Sequence, residues 1–330
     1  MARIREDGTV RSIEVDGRQV SVVGLGCWQF GSRSWGYGSV FGEREAHAIV
    51  ERALELGITL FDTAEMYGRG ASERILGRAL GDRAERVFLA TKFLPLLPTA
   101  GRLVRACEHS LGRLGVARVD LYQLHFPNPL VPLRRQMEGM RRVLDRGLTG
   151  HAGVSNYSRH QWLAADRALG RPVLANQVRY NLLQRQAERE LLPFAEREGR
   201  LVIAYSPLAQ GVLGGRYDAD NAPRDLRRTN PLFTRANLAR AAAVLDALRQ
   251  VARVHGATPG QVALAYLCAQ PQVVVIPGAR SVAQVESSAA AADLTLSEDE
   301  VARLRAAAAG FVPDRGRALG QLLARLAHRP

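Results

Sequence analysis

Four side chains that could transfer or hold a proton occur at the ends of short apolar segments. Asp62 ends the second such segment and Tyr67 lies in the turn beyond it, while Lys92 ends the third and His125 the fourth. A nearby ammonium favours phenolate, so we expect the lysine to lower the tyrosine pKa from about 10 toward the working range. A carboxylate would hold that ammonium in place. These residue types therefore predict a site in which a tyrosine acts as a general acid.

Each of these residues also has a structural alternative. Asp62 could cap a helix or an Asx turn, Tyr67 could be a half-buried aromatic, and His125 could be a satisfied core histidine. Lys92 could be a surface charge, but the chain has 45 lysine and arginine residues and Lys92 is its only lysine. A surface charge could equally be arginine. A compact ammonium, in contrast, fits beside a buried carboxylate where a planar guanidinium does not.

The elements that would position these side chains alternate between strand and helix patterns. Eight short apolar segments predict strands, at residues 22–27, 59–64, 87–93, 119–126, 151–157, 173–181, 201–208 and 272–279. Amphipathic stretches predict helices between them, at residues 43–57, 72–81, 101–115, 132–147, 158–170 and 185–199. Eight strand-then-helix units predict an α/β fold, a closed parallel (β/α)8 TIM barrel, with its active site at the carboxyl ends of the strands.

Three further features complete the predicted organisation of one domain over residues 1–330. Asp16–Gly17 predicts a hairpin within residues 8–21, and a long loop over 209–233 follows the seventh strand. Residues 311–330 form an arginine-rich tail. A Rossmann domain is the competing fold, but Gly24–Leu25–Gly26 is followed by Gln29 where the third glycine of the fingerprint should stand. We therefore reject the Rossmann fold.

Composition bears on partners and on location. The net charge of +13 would be compatible with binding to nucleic acid. The arginines are spread along the chain, however, and no aromatic residues are interleaved with them. We therefore expect no nucleic-acid binding. No run of apolar residues is long enough to span a membrane, and the amino terminus lacks the apolar core of a secretory signal. Three scattered cysteines, with no CxxC motif, predict neither disulfides nor a metal site. We expect a cytoplasmic protein of unknown oligomeric state.

Six spaced segments resemble the signature segments of the aldo-keto reductases, in that family's order. They are FDTAEMYGRGASE (61–73), ATK (90–92), LH (124–125), GVSN (153–156), YSPLAQG (205–211) and IPGARS (276–281). Within the family, these segments are most similar to those of the bacterial reductases related to potassium-channel β subunits. The resemblance implies a barrel that binds NADPH or NADP⁺ without a Rossmann fold. It also implies an oxidoreductase of the alcohol dehydrogenase type, which reduces aldehydes or ketones to alcohols.

The resemblance assigns roles by motif. It implies that Tyr67 is the proton donor, Lys92 tunes it, Asp62 pairs with Lys92 and His125 orients the carbonyl. Further positions match the family's cofactor contacts. Those for the nicotinamide end are Ser155, Asn156 and Gln177, which match the carboxamide contacts, and Tyr205, which matches the ring contact, and we expect Trp28 and Asp62 to contact the cofactor as well. Those for the pyrophosphate are Ser206, Pro207, Leu208, Gly211 and Arg216, and those for the adenosine end are Gly278, Arg280, Ser281, Gln284 and Ser288.

Two arginines bear on cofactor binding, and Arg280 bears on the choice of cofactor. Arg280 could pair bidentately with the 2′-phosphate that NADPH has and NADH lacks. Arg216 could cover the pyrophosphate, although a solvated loop arginine is an equal alternative. The family usually carries Glu-Asn near the adenine, whereas this chain has Ser287–Ser288. Two hydroxyls can still bond adenine, but less specifically.

Aromatic residues near the mouth predict an apolar pocket for a small carbonyl substrate. They are Trp28, Trp35, Tyr37, Phe93 and Phe126. The expected function is NADPH-dependent carbonyl reduction. The alternative is a regulatory or redox-sensing subunit that binds NADPH and turns over slowly.

Overall fold

The computed structural model describes residues 10–96, 99–223 and 225–314, and within them eight parallel strands close into a barrel. The strands follow one another around the barrel in chain order, and bridges from Val23 to Val275 and from Gly26 to Gly278 join the first to the last. The predicted (β/α)8 barrel is confirmed. Its strands are β3 (Leu25–Gly26), β4 (Leu60–Asp62), β5 (Phe88–Phe93), β6 (Val119–Leu124), β7 (Thr149–Ser155), β8 (Ala175–Arg179), β9 (Leu201–Tyr205) and β10 (Val273–Val275).

Helices pack around the barrel and follow the predicted order. Side-chain caps at Thr99, Ser158, Thr234, Thr258 and Ser297 accept hydrogen bonds from the first turn and begin five of the helices in the described ranges. The helices are α1 (Glu43–Glu55), α2 (Ala71–Leu80), α3 (Ala100–Leu114), α4 (Leu133–Asp145), α5 (Arg159–Leu169), α6 (Ala187–Arg197), α7 (Arg235–Val254), α8 (Pro259–Cys268), α9 (Val282–Ala289) and α10 (Glu298–Ala309).

An amino-terminal hairpin, β1 (Ser12–Val15) and β2 (Arg18–Ser21), closes one end of the barrel. Asp16 and Gly17 form its turn with φ angles of 46° and 77°, as a two-residue turn with positive φ at both positions requires. Val15 and Val20 pack in one apolar cluster with residues from most of the barrel strands. The predicted hairpin is therefore confirmed over the described residues. Residues 8–9 of that prediction, and 315–330 of the predicted tail, lie outside them.

Strand alternation separates an apolar barrel floor from a polar mouth. Leu60 belongs to the apolar cluster at the floor, and Asp62 follows it on the same face of β4. On β5 the same face carries Phe88 and Ala90 in that cluster and then Lys92. On these two strands, polar side chains therefore enter the barrel where the strands reach their carboxyl ends.

The long loop after β9 contains three short 3₁₀ turns in the described residues, Ala209–Gly211, Leu226–Thr229 and Pro231–Phe233. It lies at the mouth because β9 ends there. None of the helices in the described ranges combines the length and apolar character needed to cross a bilayer.

Candidate active site

Lys92 lies at the centre of a buried polar cluster. Its Nζ donates to Asp62 Oδ2 at 2.5 Å, to the Thr63 carbonyl oxygen at 2.8 Å and to the Tyr67 hydroxyl at 3.3 Å. The lysine side chain is 0% exposed and the aspartate side chain 2%. An ammonium has three donors, and each has a partner here.

This geometry accounts for the single lysine in the chain. The three acceptors surround Nζ closely, and Nζ also lies 5.0 Å from the centroid of the Tyr67 ring. A guanidinium is a wider, planar group with donors in a fixed fork, so it could not reach all three acceptors from this position.

The second carboxylate oxygen of Asp62 accepts from two buried amides. Gln177 Nε2 donates to Oδ1 at 2.8 Å, and Gln123 Nε2 lies at 3.4 Å from the same oxygen. Room for Gln123 comes from Gly153 on the neighbouring strand, since a Cβ there would lie 2.7 Å from Gln123 Cγ. Gln123 was not among the predicted site residues, although a glutamine two residues before His125 in a buried strand was a usable signal.

The expected lowering of the Tyr67 pKa is wrong in its net direction. Burial raises the pKa of the Tyr67 hydroxyl above its usual value, and the Lys92 ammonium lowers it by less, with Asp62 opposing. The ammonium acts as predicted, but removal of the phenol from water outweighs it. Tyr67 is therefore protonated at neutral pH. The pKa of Lys92 is raised, because the attraction of Asp62 and Tyr67 exceeds the opposing effect of burial.

His125 is a buried, neutral ring beside Tyr67. Burial, together with the charge of Lys92, lowers the pKa of His125 to about 3. The ring lies edge-on to Tyr67 at 5.6 Å between centroids and stacks on Phe126 at 4.5 Å. Its Nδ1 is buried and has no hydrogen-bond partner among the described residues. His125 is therefore not a core histidine with both ring nitrogens hydrogen-bonded, which was the structural alternative.

A cavity of about 630 Å³ opens above this cluster. Lys92 does not line the cavity itself, but its Nζ contacts the hydroxyl of Tyr67, which does line it. The predicted residues that line it are Trp28, Trp35, Asp62, Tyr67, His125, Phe126, Ser155, Asn156, Gln177, Tyr205, Ser206, Pro207, Leu208, Gly211, Arg216, Gly278, Arg280, Gln284 and Ser288.

Besides Lys92, three other predicted residues lie off the cavity wall. Phe93 follows Lys92 on β5, so strand alternation turns its side chain outward into the core, where it is 1% exposed. Tyr37 packs edge-on against Phe41 at 5.4 Å and against the core. Ser281 precedes α9 and does not contribute to the lining.

One wall of the cavity is a network of polar side chains at the ends of β7 and β9. The Tyr205 hydroxyl donates to Asn156 Oδ1 at 2.9 Å, and Asn156 Nδ2 donates to Ser155 Oγ at 3.0 Å. Asn156 has φ of 63° and Ser206 φ of 51°. Non-glycine residues in this region of backbone space are uncommon and concentrate at functional sites.

Three arginines gather at the far end of the cavity, near the start of α9. The pKa of Arg280 is lowered by burial and then by the charges of Arg227 and Arg216. Arg227 pairs with Asp225 at 2.5 Å, and its guanidinium lies 5.7 Å from the Trp35 ring centroid. Arg227 lies in the long loop predicted over 209–233, and nothing in the sequence indicated that it would reach the cavity wall. An excess of positive charge at one end fits the phosphates of a dinucleotide.

The cavity also has lining residues to which the motifs assigned no role. They are Gly26, Gln29, Met66, Arg179, Gln210, Gly214, Arg227, Thr258, Gly260, Ile276, Pro277 and Ala283. Ser287, expected with Ser288 near the adenine, lines it too. In the described residues, no group of three or more His, Cys, Asp or Glu side chains is arranged to hold a metal ion.

Comparisons with known proteins agree with the fold. A sequence model described as the Aldo/keto reductase family matches residues 22–309. The uncharacterized oxidoreductase Rv2298 of Mycobacterium tuberculosis is 52% identical over 305 residues, covering 92% of this chain and 94% of that protein. The glycerol dehydrogenase AKR11B4 of Gluconobacter oxydans aligns with a TM-score of 0.82 and 30% identity, over 94% of this chain and 98% of that one. An aldo/keto reductase of Klebsiella pneumoniae in complex with NADP and acetate aligns with a TM-score of 0.73 and 29% identity, over 93% of this chain and 96% of that one.

Proposed function

Since the chain belongs to the aldo/keto reductase family, we propose that it reduces aldehydes or ketones to alcohols with NADPH, with Tyr67 as the proton donor. One observation carries the proposal. The Lys92 ammonium bonds both the buried Asp62 carboxylate and the Tyr67 hydroxyl, and that hydroxyl belongs to the cavity wall.

NADPH is proposed as the cofactor because the related Klebsiella pneumoniae structure contains NADP. Ser155, Asn156 and Gln177 would hold the carboxamide. Gln177 already donates its amide nitrogen to Asp62, which leaves its oxygen to accept from the carboxamide NH₂. Tyr205 would stack on the nicotinamide ring, with Trp28 across the cavity. The pyrophosphate would lie against Ser206, Pro207, Leu208, Gly211 and Arg216, and the adenosine end against Gly278, Arg280, Gln284 and Ser288.

The roles of the four polar residues follow from their charge states. When bound, NADPH supplies the hydride that goes to the carbonyl carbon. Tyr67 keeps its proton at neutral pH because burial raises its pKa, so it can give that proton to the carbonyl oxygen. Lys92 then stabilises the phenolate, and Asp62 keeps Lys92 in place. The neutral His125 can donate a hydrogen bond to the same oxygen without competing for the proton.

The substrate side of the cavity is apolar and aromatic. Trp28 stacks on Tyr67 at 5.7 Å between centroids, and Trp35 lies 5.5 Å from Trp28. Met66 and Phe126 complete this wall and are 42% and 41% exposed. Large apolar side chains that remain exposed around a polar centre suit the hydrocarbon part of a carbonyl compound.

A kinetic comparison of wild type with Tyr67→Phe tests the proposal. The loss of absorbance of the reduced cofactor would be followed with a panel of aldehydes, ketones and sugars. We expect the substitution to lower kcat by about 10²- to 10⁴-fold, as loss of a general acid does. NADPH binding, measured by fluorescence, serves as the control and should change little.

Two results would contradict the proposal: wild type reduces no carbonyl compound, or Tyr67→Phe is as fast as wild type. NADPH binding without turnover by wild type would instead support a regulatory or redox-sensing subunit.

A further inference from the structure

Arg179 is an arginine of the cavity wall without a partner carboxylate. It ends β8, is exposed, and lines the cavity. Arg227, which also lines the cavity, pairs with Asp225. Arg179, in contrast, forms no salt bridge within the described parts of the chain.

The position of Arg179 places its charge near the reacting end of the cavity. Two residues earlier on the same face of β8, Gln177 donates to Asp62 at 2.8 Å. Two strand residues span about 6.5 Å. The guanidinium lies 5.6 Å from the centroid of the Tyr205 ring, and Tyr205 is the register partner of Arg179 on β9.

Arg179 lies apart from the arginines at the far end of the cavity. Arg216 and Arg227 belong to the long loop after β9, and both act electrostatically on Arg280 at the start of α9. Those three charges lie where the phosphates of the proposed cofactor would bind. Arg179 instead stands on a barrel strand beside the proposed nicotinamide position.

Nothing on the described wall neutralises this charge. Asp62 is the one carboxylate among the described lining residues, and its two oxygens already accept from Lys92, Gln177 and Gln123. A guanidinium in a partly enclosed site pairs best with a planar carboxylate, to which it can donate two parallel hydrogen bonds.

We propose that Arg179 binds a carboxylate carried by the substrate, so that the enzyme prefers carbonyl compounds with a carboxylate group over neutral ones. This inference rests on the proposed function, because it assigns the substrate class of the same site. The aromatic wall would hold the carbon chain, and Arg179 would fix the end opposite the reacting carbonyl.

The test compares two substrates that differ in one charge, succinic semialdehyde and its methyl ester, at saturating NADPH. For wild type we expect kcat/KM to be at least about tenfold higher for the acid. For Arg179→Gln we expect kcat/KM to fall about 10- to 100-fold for the acid, as for loss of a charge-assisted pair, and less than about threefold for the ester. Arg179→Lys should recover part of the loss, since it keeps the charge without the fork.

Arg228→Gln is the matched control, because Arg228 is an exposed arginine of the long loop that does not line the cavity. Its kinetics should equal those of wild type. The dissociation constant of NADPH should be unchanged in Arg179→Gln. The inference is overturned if wild type shows no preference for the acid, or if Arg179→Gln slows both substrates equally. It is also overturned if the substitution weakens NADPH binding without changing the preference, which would place Arg179 in the cofactor site.

A binding measurement keeps this outcome separate from failure of the proposed function. Calorimetry with succinate and the protein saturated with NADP⁺ needs no turnover. Binding by wild type that is weakened at least about tenfold in Arg179→Gln supports the anion site, even if no carbonyl is reduced. Equal binding by both proteins, or binding by neither, refutes it.

Discussion

The two ends of the cavity hold positive charge in opposite ways. At the barrel end, Lys92 is fully buried and its three donors are used by Asp62, Thr63 and Tyr67. At the far end, Arg216, Arg227 and Arg280 lie on a loop and at the start of a helix, where burial and then the charges of Arg227 and Arg216 lower the pKa of Arg280. Within the described ranges, Asp225 is the one carboxylate that offsets them by a short ion pair.

This difference separates preorganisation from ligand binding. The charge of Lys92 is balanced without any ligand, so the cluster of Lys92, Asp62 and Tyr67 is held in position by the protein itself. The far end carries repulsion that an anion would relieve. Substitutions at the barrel end should therefore change rates with little effect on cofactor affinity, and substitutions at the far end should do the reverse.

Lys92→Arg should have the largest effect on this comparison. It keeps the charge but changes its shape, so the guanidinium should displace the Tyr67 hydroxyl or the Asp62 carboxylate. We expect kcat to fall roughly 10²- to 10⁴-fold, the range for a disabled general acid. The free energy of unfolding should fall by about 1–3 kcal/mol, because the wider side chain overpacks the core.

Fluorescence titration with NADPH and urea unfolding would accompany the kinetics of Lys92→Arg. Retained cofactor binding by a folded variant that barely turns over would sharpen the contrast between the two ends. Near wild-type turnover would mean that the single lysine is an accident of composition.

Arg280→Ala should have the second largest effect, and on binding alone. Loss of a guanidinium from a site for a doubly charged phosphate should raise the dissociation constant of NADPH about 30- to 100-fold. The dissociation constant of NADH, which has no 2′-phosphate, should change less than about threefold. Titrating both cofactors into both proteins measures the difference. If the substitution weakens the binding of both cofactors equally, Arg280 does not bind the 2′-phosphate.

Much of the barrel end could be predicted from the sequence because strand order dictates it. Asp62, Lys92 and His125 stand at the ends of neighbouring strands, and parallel strands bring such positions to one rim. The hairpin was equally predictable, since Asp16–Gly17 supplies the positive φ that its turn requires.

What could not be predicted depends on distances and environment. Phe93 was expected in the pocket, yet one step along the strand turns it into the core. The net direction of the Tyr67 pKa shift required the depth of its burial, which no spacing reveals. Arg227 reaches the cavity through loop conformation, and Gln123 reaches Asp62 because Gly153 leaves space.

The smallest predicted effect probes the barrel end through its response to acid. The pKa of His125 is lowered from 6.5 to about 3 in the folded protein. The unfolded chain therefore binds a proton there first as the pH falls, and the stability held by the neutral ring is present above about pH 6.5 and lost toward pH 3. We expect a loss of roughly 1–2 kcal/mol between pH 7 and pH 5 relative to His125→Asn, which cannot titrate. Urea unfolding of both proteins across that range isolates the histidine, because the other groups are common to both. A stability difference that stays constant with pH would show that His125 titrates normally, and that the barrel end admits more water than its geometry indicates.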